Sequence, residues 1–282
     1  MRVLVTGATG FVASHLVPAL VREGHDVVAL GHDASRLPAG GEKVELDLAA
    51  ARSFPAADAI VHLAQANVRF PDGAADLFAV NTASTAALLE HARASGAERF
   101  VFASSASVYG VGELAFAEDD PPRATDFYSA TKIAAERLAR AYANLLRVIV
   151  LRPVAPFGPG QRNRLVPGLF DRVRNGQPIT LNGGGRPRMN PIYVGDVVDA
   201  IVLALERDAP QLVNVGGDKV VSIRELAELI GEVVGAEPVF EDGGTADGDL
   251  VVRNDRLHQL LGRAPLALRE GLERTVHAGA PV

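Results

Sequence analysis

Near its start the chain reads Thr6-Gly7-Ala8-Thr9-Gly10-Phe11-Val12-Ala13, directly after a short apolar run and directly before a helical pattern. A turn of this kind constrains the fold more than any other stretch. Gly7 permits the tight bend out of a strand. Gly10 lets the backbone approach a pyrophosphate, which then rests against the positive end of the helix that Phe11 and Val12 open. Ala13 takes the place where a small residue allows close packing of helix on strand. The arrangement predicts a first βα unit that binds a dinucleotide.

The rest of the first half fits that unit. Short β-branched runs at Val3–Thr6, Val27–Leu30, Val44–Leu46, Ala59–Leu63, Phe100–Ser104 and Val148–Leu151 read as buried strands. Between them, Phe11–Glu23, Leu77–Ala94 and Tyr128–Asn144 are long enough for crossover helices. This alternation predicts an α/β fold, a Rossmann-type doubly wound parallel sheet covered on both faces. After Pro153 the texture turns to Gly, Pro and Arg, as in Pro153-Val154-Ala155-Pro156-Phe157-Gly158-Pro159-Gly160-Gln161, with helices expected at Leu165–Asn175 and Ser222–Val234. Ser222 and Glu225 form a capping-box pattern. The expected division is a dinucleotide-binding domain at 1–153 and a smaller C-terminal substrate-binding lobe at 154–282, interleaved with the first.

Composition excludes several classes of function. The 282 residues are 48% hydrophobic, enough for a continuous core. A net charge of -6 argues against nucleic-acid and anionic-membrane partners. Without cysteine there is no disulfide framework, thiolate metal site or cysteine nucleophile, and the 7 histidines are too scattered to form a metal site. With neither a signal-peptide pattern nor a membrane-length apolar run, the expected location is the cytoplasm.

The second expected strand ends in Leu30-Gly31-His32-Asp33, where an acid that takes a ribose 2'-hydroxyl is missing from its usual place. His32 and Arg36 suit a 2'-phosphate, or simply a solvated loop, so NAD and NADP both stay open. Tyr128 and Lys132 lie one helical turn apart on one face. With 4 tyrosines and only Lys43, Lys132 and Lys219 in the chain, a chance pair at this spacing is rare. For a tyrosine to act as a base near neutrality its pKa must fall about 3 units, or ~4 kcal/mol. An ammonium about 6 Å away supplies ~2.8 kcal/mol at an effective dielectric near 20. Lysine alone falls short, and an oxidised nicotinamide nearby is the natural source of the remainder. The loop Ala103-Ser104-Ser105-Ala106-Ser107, after the fifth strand, offers hydroxyls that can orient a substrate oxygen or simply cap backbone groups.

Glycine turn, serine loop and Tyr-x-x-x-Lys in this order resemble the extended short-chain dehydrogenase/reductase family, specifically its NAD-dependent epimerase/dehydratase branch. The resemblance extends through Val61-His62-Leu63-Ala64, Val80-Asn81, Leu151-Arg152-Pro153, Arg188-Met189-Asn190-Pro191 and Asn214-Val215-Gly216. It implies Tyr128 as catalytic acid or base, Lys132 as its electrostatic partner and a ribose ligand, and Ser105 as the hydroxyl at the reacting oxygen. It further implies cofactor contacts from Asp47, Leu48, Leu63, Ala64, Gln65, Asn81 and Pro153. Substrate contacts would come from Tyr109, Arg164, Leu165 and Arg188, with the last on a diphosphate. For Asp47 a turn cap and for Asn81 a helix-start hydrogen bond are the structural alternatives.

Two departures loosen the substrate assignment. Ala155 stands where the family usually has asparagine, and Ala246 where an arginine often precedes a Gly-Asp pair, here Gly248-Asp249. Dehydratases of the family place an acid beside the catalytic hydroxyl, whereas this chain has Ala106 and Ser107. The resemblance therefore implies reversible hydride transfer at a secondary alcohol, foremost in a nucleotide-sugar 4-epimerase. An NADPH-dependent 4-ketoreductase of a deoxysugar nucleotide or other ketone is the alternative, and a non-catalytic nicotinamide-sensing protein the alternative of another class. A homodimer through Leu77–Ala94 and Tyr128–Asn144 is also implied.

Overall fold

The computed structural model describes residues 1–51, 53–246 and 248–278. They form two compact units. The first comprises Met1–Gly110, Pro121–Arg152 and Val198–Val213, and the second Val111–Asp120, Pro153–Val197 and the chain from Asn214 onward.

The first unit is built on a seven-stranded sheet. Its strands are β1 (Arg2–Thr6), β2 (Asp26–Gly31), β3 (Glu42–Glu45), β4 (Ala59–His62), β5 (Arg99–Ala103), β6 (Arg147–Pro153) and, after a strand that belongs to the second unit's own sheet, β8 (Leu212–Val215). That other strand is β7 (Pro178–Leu181). The order is β3-β2-β1-β4-β5-β6-β8, and the neighbours from β3 to β6 pair in parallel. The order reverses between β1 and β4, the switch point where open α/β sheets bind ligands beyond their strand C-termini. Val3, Leu4, Val5, Val28, Leu30, Ile60, Phe100 and Phe102 are fully buried, as a sheet covered on both faces requires.

Helix α1 (Phe11–Arg22) follows the glycine turn. The expected helix over Leu77–Ala94 is instead three pieces: α2 (Ala74–Phe78), a π-helical turn (Ala79–Ala83) and α3 (Ser84–Ser95). Helical periodicity hides a one-residue widening of this kind, which often marks functional positions. Helix α4 (Phe127–Ala141) begins at a capping box. Asp126 Oδ1 accepts from the Ser129 amide at 2.6 Å, and Ser129 Oγ accepts from the Asp126 amide at 3.2 Å. Leu88, Leu89, Ala92, Ala135 and Ala139 join Leu4, Ile60, Phe100 and Phe102 in one core cluster. Each large apolar side chain buried there contributes about 1.5–3 kcal/mol.

The second unit contains α5 (Leu165–Arg174), β7 paired in parallel with β9 (Val239–Asp242), α7 (Ile223–Val234), α8 (Asp255–Leu261) and α9 (Leu268–His277). Helix α6 (Val194–Glu206) starts in it and continues into the first unit. Helix α7 carries the expected capping box, with Ser222 Oγ accepting from the Glu225 amide at 3.1 Å. Phe157, Val166, Leu169, Phe170, Leu226, Ile230 and Leu272 form its core. Residues 111–120 belong here through bridges from Gly112 to Asp249 and from Phe116 to Val252. Glu118 Oε1 also accepts from the Asn214 amide at 3.0 Å.

Candidate active site

The glycine turn has the geometry that a dinucleotide needs. Gly7 holds φ +66, and a Cβ there would stand 2.6 Å from the Ala64 amide nitrogen and Cα. The Gly10 amide bonds the Gly7 carbonyl at 2.9 Å, and Gly10 places no side-chain cap over the start of α1. The first amides of that helix are thus uncapped by their neighbour, the condition for seating an anion. Phe11 and Val12, at the helix opening, are half-buried, and Phe11 meets His15 edge to face. Leu63 and the buried Ala64 continue from β4 beside the turn. These residues fit a nicotinamide dinucleotide.

Past β2, His32 and Arg36 are exposed. Asp33 is occupied locally, accepting from both the amide and hydroxyl of Ser35, and those bonds hold its carboxyl below the usual range. Asp47 is exposed and caps its own turn, accepting from the Ala49 amide at 2.9 Å. Leu48 is buried in the core cluster. Asn81, fully buried in the π turn, accepts from the Ala66 amide at 2.9 Å and donates to Thr131 Oγ1 at 3.0 Å. Its amide therefore ties the loop after β4 to α4. Pro153 ends β6, half-buried.

Tyr128, Lys132 and Glu136 succeed one another at single-turn intervals along one face of α4. Lys132 is fully buried. Its Nζ donates to the Ala103 carbonyl at 2.9 Å and lies 5.0 Å from the Phe102 ring centroid and 5.9 Å from that of Tyr128. Burial pushes its ammonium down to about 7, against the opposing charge of Glu136. The half-buried Tyr128 donates its hydroxyl to Gln65 Oε1 at 2.8 Å. Ser105 caps a short 3-10 turn (Ala106–Tyr109), its Oγ 2.8 Å from Ser107 Oγ and accepting from the Ser107 amide at 3.1 Å. Tyr128 is thus bonded directly to Gln65, with the Lys132 ammonium facing its ring from 5.9 Å.

Tyr109, expected at the substrate, is fully buried with its ring 4.6 Å from the Arg152 guanidinium carbon. In this structure it is a core residue. Beneath it lies a network that motif reading missed. Arg152 donates to both carboxylate oxygens of Glu136, at 2.9 and 2.5 Å, and Ser104 Oγ donates to Glu136 Oε1 at 2.5 Å. The available signal was Glu136, one turn beyond Lys132 on the same face. His62 was also passed over as chemistry. It is fully buried between Thr6 Oγ1 at 2.7 Å and Thr85 Oγ1 at 3.0 Å, and burial, aided by Lys132, pushes its pKa down to about 3.

The remaining expected residues lie in the second unit. Arg164 stands exposed at the start of α5, and Leu165 packs against the unit's core. Arg188, half-exposed, donates its main-chain N–H to Asp249 Oδ1 at 2.8 Å and its Nε–H to Oδ2 at 3.0 Å. Burial raises the Asp249 pKa, but the bonds from Arg188 and the charges of Arg186 and Arg188 outweigh it and leave the carboxyl below its ordinary value. Ala155 holds φ +38, a left-handed conformation that asparagine adopts with less strain than alanine.

Residues 3–216 match the NAD dependent epimerase/dehydratase family. The chain belongs to that family. It is an enzyme of the extended short-chain dehydrogenase/reductase family, with the Rossmann-type parallel sheet of that family. A UDP-glucose 4-epimerase of Mycolicibacterium smegmatis is 34% identical over 307 residues, spanning 98% of this chain and 97% of its own. A dTDP-4-dehydro-6-deoxy-D-allose reductase of Streptomyces bikiniensis is 31% identical, spanning 97% and 94%. The solved structure of MoeE5 in complex with UDP-glucose and NAD shares the fold at a TM-score of 0.86 and 32% identity, over 99% and 98% of the two chains.

Proposed function

We propose that the chain is a nucleotide-sugar 4-epimerase working with NAD. The observation that carries this reading is the contact set on α4, in which Tyr128 stands one turn from the buried Lys132 and bonds the loop leaving β4. Gly7, Gly10, Phe11, Val12, Leu63 and Ala64 would hold the dinucleotide, with Lys132 at its ribose. When bound, that cofactor accepts a hydride from the substrate carbon and returns it. Tyr128 Oη takes the proton of the sugar hydroxyl and later gives it back, and Ser105 Oγ holds the reacting oxygen. In the second unit, Arg188, oriented by Asp249, would pair with the substrate diphosphate.

Ala106 and Ser107 occupy the place beside Ser105 where a dehydratase needs an acid. Ala106 is fully buried and Ser107 Oγ is bonded to Ser105 Oγ, which supports epimerase over elimination chemistry. His32 and Arg36, exposed after β2, favour the second reading, an NADPH-dependent ketoreductase. The proposed location is the cytoplasm. No helix among the described residues is long and apolar enough to cross a membrane. The proposed assembly is a homodimer through α3 and α4.

The test is incubation with NAD and, separately, UDP-glucose and UDP-glucuronic acid in heavy water, with products followed by proton NMR. A 4-epimerase interconverts the C4 epimers and keeps protium at C4, because the same hydride returns. Deuterium at C4 sinks the hydride mechanism, and turnover of ketones with NADPH without epimerisation favours the reductase.

A further inference from the structure

Tyr128 has a bonded neighbour, Gln65, expected at the cofactor but given no part in the proton transfer above. Its hydroxyl donates to the Gln65 side-chain carbonyl at 2.8 Å. The loop carrying Gln65 is fastened to the start of α4 at two further points. Ala66 is tied through Asn81 to Thr131, the residue before Lys132. Phe70 stacks on Phe127, the residue before Tyr128, with centroids 5.0 Å apart and planes 18° from parallel. The loop therefore presents Gln65 to Tyr128 from a held position.

A primary carboxamide carries an acceptor at one end and two donors at the other, and a half-turn about its terminal bond exchanges them. One side chain can thus accept from a phenol and donate to a phenolate. A hydrogen bond to the charged phenolate is the stronger of the two, so the exchange favours deprotonation. Lys132 supplies less than its formal charge suggests. It spends an N–H on the Ala103 carbonyl, and burial brings its own titration to about 7. A carboxamide does not titrate in this range.

We propose that Gln65 is a positioning residue for Tyr128, its carboxamide accepting the tyrosine hydroxyl at rest and turning over to donate Nε2–H to the phenolate while Tyr128 acts as base. No proton leaves Gln65. The proton moves between the substrate hydroxyl oxygen and Tyr128 Oη alone, and the amide follows it. The inference rests on the reading of Tyr128 as proton carrier. The charged or titratable groups on the surrounding elements are Lys132, Glu136, Arg137 and Arg140 on α4, Asp126 at its start, His62 at the end of β4 and Arg69 and Asp72 on the loop, and all are kept in the variants below.

The experiment follows tyrosinate absorbance against pH in the purified full chain, with Tyr128→Phe identifying the contribution of Tyr128 among the 4 tyrosines. Gln65→Ala is expected to raise the Tyr128 midpoint by about one unit. Gln65→Glu should raise it further, since a carboxylate only accepts and adds like charge. The acid limb of kcat/KM should move with the midpoint, giving about tenfold loss near pH 7 that disappears in alkali. An unmoved midpoint in both Gln65 variants, or an activity loss equal at every pH, overturns the proposal. The absorbance titration requires no turnover, so it decides the Gln65 bond separately. Full turnover in Tyr128→Phe overturns the underlying assignment instead, and the proposal with it.

Discussion

The two units carry their chemistry in different ways. In the first, the groups proposed to act follow one another at short spacing: Gly7 and Gly10 in one turn, and Tyr128 and Lys132, with Glu136 beyond them, along one helix face. In the second, the corresponding groups are assembled from distant parts of the chain. Arg188 meets Asp249, and Asn190 bonds the Gly217 and Val252 carbonyls at 2.8 and 3.0 Å. Local spacing fixes a reaction type, because the helix or turn delivers the geometry by itself. Long-range pairing fixes a recognition surface, whose members carry no short signature.

Variants should separate the two units by which parameter they change. The largest effect is expected for Tyr128→Phe, which removes the proposed proton carrier and leaves the fold. Turnover should fall at least about a thousandfold with nucleotide binding kept, and steady-state kinetics beside a thermal melt would show both. Retained turnover would end the assignment. Next comes Glu136→Ala, which strands the buried Arg152 and frees Ser104 from its acceptor. A loss of about 3–5 kcal/mol in urea unfolding is expected. Replacing Glu136 and Arg152 together with methionine should recover most of it, and failure to recover would show that the pair does more than balance charge.

A pH effect of intermediate size also belongs to the first unit. His62 has a folded pKa of about 3 against an ordinary 6.5. Between those values the unfolded chain binds a proton that the folded one refuses. Stability present above pH 6.5 is therefore lost progressively as pH falls toward 3, by a few kcal/mol at most. Unfolding curves at several pH values would show this slope in the wild type, and a slope unchanged in His62→Gln would assign it elsewhere. The smallest effect is expected in the second unit. Asp249→Asn weakens the hold on the Arg188 guanidinium, and should raise KM about tenfold for a diphosphate-bearing substrate with kcat little changed. A fall in kcat at constant KM would erase the contrast between the units.

The same contrast explains what the sequence disclosed. Strands such as Val3–Thr6 and Ala59–Leu63 were legible because buried parallel strands read as continuous apolar runs, and their boundaries shift by only a residue or two in β1 and β4. Tyr128 and Lys132 were legible from spacing on a helix. The π turn at Ala79–Ala83 was not, since its wider ring leaves the apolar pattern almost unchanged. Nor was the burial of Tyr109, which depends on Arg152 arriving from β6. Glu136 was visible as a residue, but its role required partners at Ser104 and Arg152. The placement of residues 111–120 in the second unit rests on contacts to Asp249 and Val252, far along the chain.

The most direct test of the central claim is mass spectrometry of whatever nucleotide the purified, desalted protein releases on denaturation. An epimerase regenerates its cofactor in every cycle and has no need to exchange it. The account predicts NAD in close to equimolar amount with the chain. A protein that releases no nicotinamide dinucleotide, and whose melting temperature neither NAD nor NADP raises, would contradict it.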